Sequence, residues 1–254
     1  MTAPVLSASK LTKQFGGLTA VNDVSLSLFA DQVHALIGTN GAGKSTLTHL
    51  LCGELKPTSG SIRYAGQELA GMSPHRIAQL GIGRSYQRTT IFPPFTVFEN
   101  VRLAAQSRQP RFWQVWRKAD EFAAVNQAAE QALQAVGLSE DRHRLAESLS
   151  HGAQRQLEIA MCLATNPKVL LLDEPLAGMG AFESTQLIEL IRALKPGRAI
   201  LLIEHDMDAV FAVADWLTVM VNGRVIESGL PETVRSSAAV QEAYLGEAGA
   251  SSDV

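Results

Sequence analysis

Gly38-Thr39-Asn40-Gly41-Ala42-Gly43-Lys44-Ser45 fills every fixed position of the pattern G-x-x-x-x-G-K-[ST], and Thr46 follows. The apolar run Val33 to Ile37 leads into it, and a helix-like stretch, Lys44 to Leu51, leads out. The pattern requires that strand–loop–helix context. Glycines let successive backbone N–H groups turn inward around an anion, and the helix start adds its positive end. The stretch is therefore read as a phosphate cradle lined by Gly38, Thr39, Asn40, Gly41, Ala42, Gly43 and Thr46. Lys44 would reach the β- and γ-phosphates, and Ser45 would ligate Mg²⁺. A glycine-rich turn that binds nothing is the competing reading; the flanking strand and helix argue against it.

Two further strands end in chemistry. Val169-Leu170-Leu171-Leu172-Asp173-Glu174 is apolar up to a pair of carboxylates, which a parallel sheet would set at its carboxyl edge beside the phosphate cradle. Asp173 can hold Mg²⁺ through water, and Glu174 can orient and deprotonate an attacking water. Ile203-Glu204-His205-Asp206 repeats the arrangement, so His205 can donate to a terminal phosphate or to water. A lone strand-end acid or histidine is more often structural; these gain their meaning from the cradle.

Outward from these motifs, the chain reads as an α/β protein. Of its 254 residues, 46% are hydrophobic and 19% charged, enough for a packed core. A net charge of −3 argues against a general nucleic-acid partner. Cys52 and Cys162 are too few for a disulfide framework and read as small buried residues in a reducing compartment. Neither a signal peptide nor a membrane span is visible: the longest apolar stretch, Val210 to Val221, is broken by Asp215 and falls short of the roughly 20 residues a span needs. Val24, Leu26 and Leu28 alternate as in a half-buried strand, and Ser61 to Tyr64 is a short strand between turns. Thr96 and Glu99 have capping-box spacing ahead of a helix to about Ala105, and a second helix is expected over Arg117 to Val136, stopped by Gly137. Phe182 to Leu194 reads as a helix, Ala199 to Ile203 as a buried strand, and Asn222-Gly223 as the turn of a hairpin. The expected architecture is a mostly parallel sheet with an antiparallel β margin and an inserted α-helical subdomain. The division is an α/β core at 1–89 and 151–238, a helical subdomain at 90–150, and a tail at 239–254.

Leu149-Ser150-His151-Gly152-Ala153-Gln154-Arg155, in that company, resembles the signature motif of ABC transporter nucleotide-binding subunits, with His151 and Ala153 departing from the usual LSGGQ. The resemblance covers the whole chain. It implies a P-loop NTPase core, ATP and Mg²⁺ as ligands, and ATP hydrolysis. It makes Ser85-Tyr86-Gln87 the Q-loop, with Gln87 sensing Mg²⁺ and the attacking water; Glu174 to Gly180 the D-loop, with Gly180 where Asp or Asn is usual; His205 the switch histidine; and Phe15 the aromatic that stacks on adenine. Ser150 and Gly152 would contact a nucleotide held by a second subunit, because one monomer cannot close both half-sites on the same ATP.

Within the family, Phe15-Gly16-Gly17-Leu18-Thr19-Ala20-Val21, Thr96 to Val101, Gln154 to Ala160 and the tail Val240 to Gly246 look most like ATPase subunits of branched-chain amino acid uptake systems. Urea uptake and lipopolysaccharide export systems are similar alternatives, as is a non-transport ABC ATPase such as an iron–sulfur assembly factor. The implied partners are a second ATPase subunit, homo- or heteromeric, and two integral-membrane permease subunits. A solute-binding protein would act indirectly, and no nucleic acid is expected. The implied location is cytoplasmic, peripheral on the inner face of the membrane through the permease. Arg88 to Phe98, which contains Ile91, Phe92 and Phe95 and is stiffened by Pro93-Pro94, reads as a groove for a permease helix tied to Gln87, and the run with Arg108, Arg111, Phe112, Trp113, Trp116, Arg117 and Lys118 as a face toward membrane or permease. Both have an ordinary alternative, core packing for the phenylalanines and a solvated helix face for the basic run.

Overall fold

Continuous apolar runs buried on both faces build the centre of the molecule, and the computed structural model describes residues 3–85, 90–108 and 122–243. Gln32–Gly38 (β3), Val169–Asp173 (β7), Ala199–Ile203 (β8) and Trp216–Val221 (β9) run parallel, with Ile82–Arg84 (β6) beside β7. Arg224–Gly229 (β10) closes the other edge antiparallel, so the strand order is β10-β9-β3-β8-β7-β6. Period-two alternation divides the core. Leu170, Leu172, Ile200 and Leu202 face one apolar cluster; Leu171, Leu201, Ile203 and Leu36 face another.

The antiparallel strands expected at a margin form mostly a sheet of their own. Leu6–Phe15 (β1), Leu18–Leu28 (β2), Ser59–Tyr64 (β4) and Gln67–Glu68 (β5) pair in the order β2-β1-β4-β5. Between the two sheets lies the helix Lys44–Leu51 (α1), whose Leu47, Leu50 and Leu51 fill the shared core. Pro74–Leu80 (α2) leads into β6.

Val97–Gln106 (α3) starts with the expected capping box: the Glu99 amide donates to Thr96 Oγ1 at 3.2 Å, and the Thr96 amide to Glu99 Oε2 at 2.8 Å. The Thr96 amide and hydroxyl, both donating to Oε2 at 2.8 Å, hold the half-buried Glu99 carboxyl below its ordinary range. Ala123–Ala135 (α4) starts later than the sequence suggests, with Phe122 as its N-cap; the region 109–121, including the basic–aromatic run, lies outside the described residues. His151–Ala164 (α5) packs on both α3 and α4, so the helical cluster continues to Ala164, past the division expected at 150. The physical reason is its buried stripe, Leu157, Ala160 and Ala164, which joins the core of α3 and α4. Ala181–Leu194 (α6), Met207–Val213 (α7) and Pro231–Arg235 (α8) complete the chain. None of the helices described is long and apolar enough to cross a membrane.

At the amino end of β3 a histidine is buried in a chain of hydrogen bonds. His34 Nδ1 lies 3.3 Å from the Ser27 carbonyl, which can only accept, so the ring proton sits there. Nε2 then accepts from Thr218 Oγ1 at 2.8 Å, and Thr218 and Trp216 both reach Ser228 Oγ. Burial pushes the imidazole from 6.5 down to about 4. A depressed folded value means that the neutral ring stabilises the fold above pH 6.5 and that this is lost as pH falls toward 4. At about 1.4 kcal/mol per unit the contribution is about 3 kcal/mol. His34→Val should accordingly flatten the loss of unfolding free energy between pH 7 and pH 4, measured by urea titration. A variant as acid-sensitive as the native protein would refute the assignment.

Candidate nucleotide-binding site

The phosphate cradle occupies the gap between the two sheets. A Cβ on Gly38 would lie 2.1 Å from the Met220 carbonyl oxygen, and one on Gly43 2.3 Å from that of Ala20. Gly43, at φ 98°, is also in the left-handed region that favours glycine. Lys44 Nζ folds back over the loop, donating to the carbonyls of Gly38 at 2.6 Å and Thr39 at 3.0 Å. That places its charge at the mouth of the cradle.

The donor set fits a polyphosphate. Ser73, Thr96, Ser150 and Asp206 cap α2, α3, α5 and α7 with their side chains, but α1 opens at Gly43 without a side-chain cap and without an acid in its first turn. Its first amides, the Lys44 ammonium and the hydroxyls of Ser45 and Thr46 make this end of α1 positive and rich in donors. The hydroxyl of Ser45 and the carboxylate of Asp173 are hard oxygen ligands of the kind Mg²⁺ takes.

Register brings the expected acids to this edge. Leu36 of β3 and Asp173 of β7 both stand opposite Ile203 of β8, so the ends of all three strands are level. Asp173 is buried, and its Oδ2 accepts from Arg84 at 3.0 Å, while Arg84 also bonds Glu54 at 3.0 Å. Glu174 takes an unusual backbone for a side-chain-bearing residue, φ 47°, with its amide donating to the Ile203 carbonyl at 2.9 Å. His205 is 67% exposed at the end of β8, with Nδ1 3.8 Å from Glu204. Phe15 projects from the end of β1, half exposed, with Lys13 Nζ 4.9 Å from its ring centroid. Gln87 lies outside the described residues.

Ser150 and Gly152 stand elsewhere, at the start of α5. Ser150 Oγ caps that helix by accepting from the Ala153 amide at 3.2 Å. Of the two departures in the motif, His151 and Ala153, the first has room over a glycine. His151 packs over Gly178, where a Cβ would meet its ring at 3.4 Å, and Gly152 lies against the Glu183 carboxylate. At Gly180 the missing capping side chain is replaced from one turn on, where Glu183 Oε2 accepts the Gly180 amide at 3.4 Å.

Comparison with known proteins agrees with this geometry. A family model described as ABC transporter matches residues 21–177, and one described as branched-chain amino acid ATP-binding cassette transporter matches residues 224–250. The high-affinity branched-chain amino acid transport ATP-binding protein LivG of Escherichia coli K12 is 41% identical, over 98% of this chain and 100% of that protein. BraF of Pseudomonas aeruginosa, of the same description, is also 41% identical over the same shares. The chain belongs to the ABC transporter family. A crystal structure of an ABC transporter ATP-binding cassette in its ADP conformation superposes with a TM-score of 0.85, at 31% identity, over 96% of this chain and 100% of the other. Membership makes this cassette a nucleotide-binding ATPase of α/β fold.

Several residues of the cassette's site escape a motif reading. Glu204 is fully buried: Oε1 accepts the Leu176 amide at 2.9 Å and Oε2 the His205 amide at 3.2 Å, tying the two strand-end loops together. Burial pushes its carboxyl up, against the pull of those two amides. Arg84, Arg155 and Glu158 are likewise buried charges. Their one signal in the sequence was a charge at a position the apolar spacing reserves for the core. Gly43→Ala should cost at least tenfold in nucleotide affinity, because the added methyl must displace Ala20 backbone and the left-handed φ becomes strained. Titration with a fluorescent nucleotide checks this, and native affinity would show that the loop can shift freely.

Proposed function

We propose that this cassette hydrolyses Mg²⁺-ATP to drive a separate membrane permease that takes up branched-chain or other hydrophobic amino acids. The observation that carries the chemistry is the level ending of β3, β7 and β8, which sets cradle, acids and histidine on one edge. The cargo is supported by the names of full-length relatives; an ATPase subunit does not itself touch it.

In this reading Lys44 and the first amides of α1 bind the β- and γ-phosphates, and Phe15 stacks on the adenine. Ser45, Asp173 and Gln87 would hold Mg²⁺, Asp173 through Oδ1 because Oδ2 is engaged by Arg84. The ion when bound neutralises charge on the phosphate oxygens. Glu174 takes the proton of the attacking water, and His205 donates to the terminal phosphate. Ser150 and Gly152 of a second cassette close over the nucleotide, so ATP binding favours the pair and hydrolysis releases it. The cassette works at the inner face of the membrane, held there by two permease subunits.

The dock for the permease is Ile91 to Phe95. Phe92 and Phe95 are 45% and 43% exposed, their rings stacked with centroids 5.5 Å apart, which argues against a core role. The buried Asn100 holds the loop from beneath: Oδ1 accepts the Phe92 amide at 2.7 Å, and Nδ2 donates to the carbonyls of Phe92 at 3.1 Å and Thr96 at 3.0 Å.

Glu174→Gln keeps size and hydrogen bonding but removes the base, so hydrolysis should fall about 10²–10⁴-fold while ATP still binds. A native rate in that variant would overturn the assignment. Phe92→Asp or Phe95→Asp should leave folding and nucleotide binding intact while abolishing pull-down of the permease pair and uptake of leucine by cells. Native transport by either variant would reject the dock.

A further inference from the structure

A buried ion pair on α5 joins the permease-facing loop to the backbone of Glu174. Arg155, 5% exposed, donates from one terminal nitrogen to Glu158 Oε2 at 2.7 Å. Its other terminal nitrogen lies 3.5 Å from the Glu174 carbonyl oxygen, the outer limit of a hydrogen bond. Glu158, 2% exposed, accepts the Thr90 amide on its remaining oxygen, Oε1, at 2.7 Å. Thr90 is two residues ahead of Phe92, whose amide and carbonyl are fixed by Asn100. A line of polar contacts thus runs from the exposed aromatic pair through Thr90, Glu158 and Arg155 to the residue that carries the proposed base.

Stability alone does not account for this arrangement. Apolar residues of similar volume are often as good as a buried pair, since two charges must be stripped of water. The neighbours Leu157, Ala160 and Leu163 show that this stretch of α5 is otherwise apolar. Glu174, for its part, has a backbone that needs holding, with φ 47° and its amide and carbonyl anchored separately, to Ile203 and to Arg155. The loosest joint in the line is the Arg155–Glu174 contact, and a short bond precedes it on each side of Glu158.

Resting on the function proposed above, we propose that Arg155 and Glu158 are positioning residues: they transmit displacement of the loop at Thr90–Phe95 to the Glu174 backbone through the contacts Thr90–Glu158, Glu158–Arg155 and Arg155–Glu174. Movement of the loop by the permease shifts Glu158, and with it the guanidinium that orients the base. Both side chains are buried behind the strand ends, so the pair sets the rate of the hydrolytic step and its response to the permease, not affinity for ATP.

The experiment compares the native protein with the double variant Arg155→Met/Glu158→Leu, which removes both charges and so leaves neither buried alone. Nucleotide affinity is measured by titration, hydrolysis with and without the reconstituted permease, and protection of the Thr90 amide by hydrogen exchange. The expected result is native affinity, a basal kcat lowered at least tenfold, loss of stimulation by the permease, and faster exchange at Thr90. Should the double variant not fold, Arg155→Lys decides: one ammonium can hold Glu158 but cannot also reach Glu174, so Thr90 stays protected while kcat and stimulation fall. Native kcat and stimulation in whichever variant folds overturns the positioning role alone. A native protein without ATPase activity overturns both this role and the function on which it rests.

Discussion

The nucleotide edge depends on how closely backbone presses on backbone at the phosphate cradle. Gly38 and Gly43 stand where a single methyl group would collide with the carbonyls of Met220 and Ala20, one from each sheet. The antiparallel sheet is therefore part of the site's mould, since β2 supplies one wall of the loop and β9 the other. Gly223, in the β9–β10 turn, extends the same contact: a Cβ there would lie 2.9 Å from the Ala20 carbonyl. The loop can present amides to an anion because protein backbone presses on its outer side at Gly38 and Gly43.

Behind that edge the molecule invests in buried charge. Arg84 binds Asp173, Arg155 supports the Glu174 carbonyl, and Glu204 receives amides from the loops that follow β7 and β8. Each aligns a strand-end residue through backbone or carboxylate contact without entering the cradle. Such groups are costly to desolvate, and truncating one leaves its partner uncompensated. The site is consequently rigid at its base and open at its rim, where His205 and Phe15 are exposed.

What could be read from the sequence followed from locality. The cradle, the strand ends at Asp173 and Ile203, the capping box at Thr96 and the hairpin at Asn222-Gly223 are set by near neighbours, and each is found where its pattern places it. The separation of β1, β2, β4 and β5 into their own sheet was not legible, because pairing partners of antiparallel strands carry no local mark. The packing of α5 on α3 and α4 was not legible for a similar reason: its apolar stripe shows that it is buried, not against what. Among residues at this edge, the motif positions are marked by their own spacing, whereas the burial of Glu204 and Arg84, and the partners of the Arg155–Glu158 pair beyond α5, depend on long-range contacts that no spacing encodes.

The backbone at Glu174 has a consequence for how this position can change. A left-handed φ of 47° is one in which glycine sits without strain and glutamate does not. With Glu174 as the base proposed above, stability and catalysis favour different residues at the same place. Drift toward higher thermal stability, or a design procedure that rewards backbone comfort, would tend to install glycine at 174 and so remove the carboxylate. Glutamate stands there against the local conformational preference. A relative that carries glycine at this position, with the cradle intact, would be a nucleotide-gated clamp that had exchanged turnover for durability.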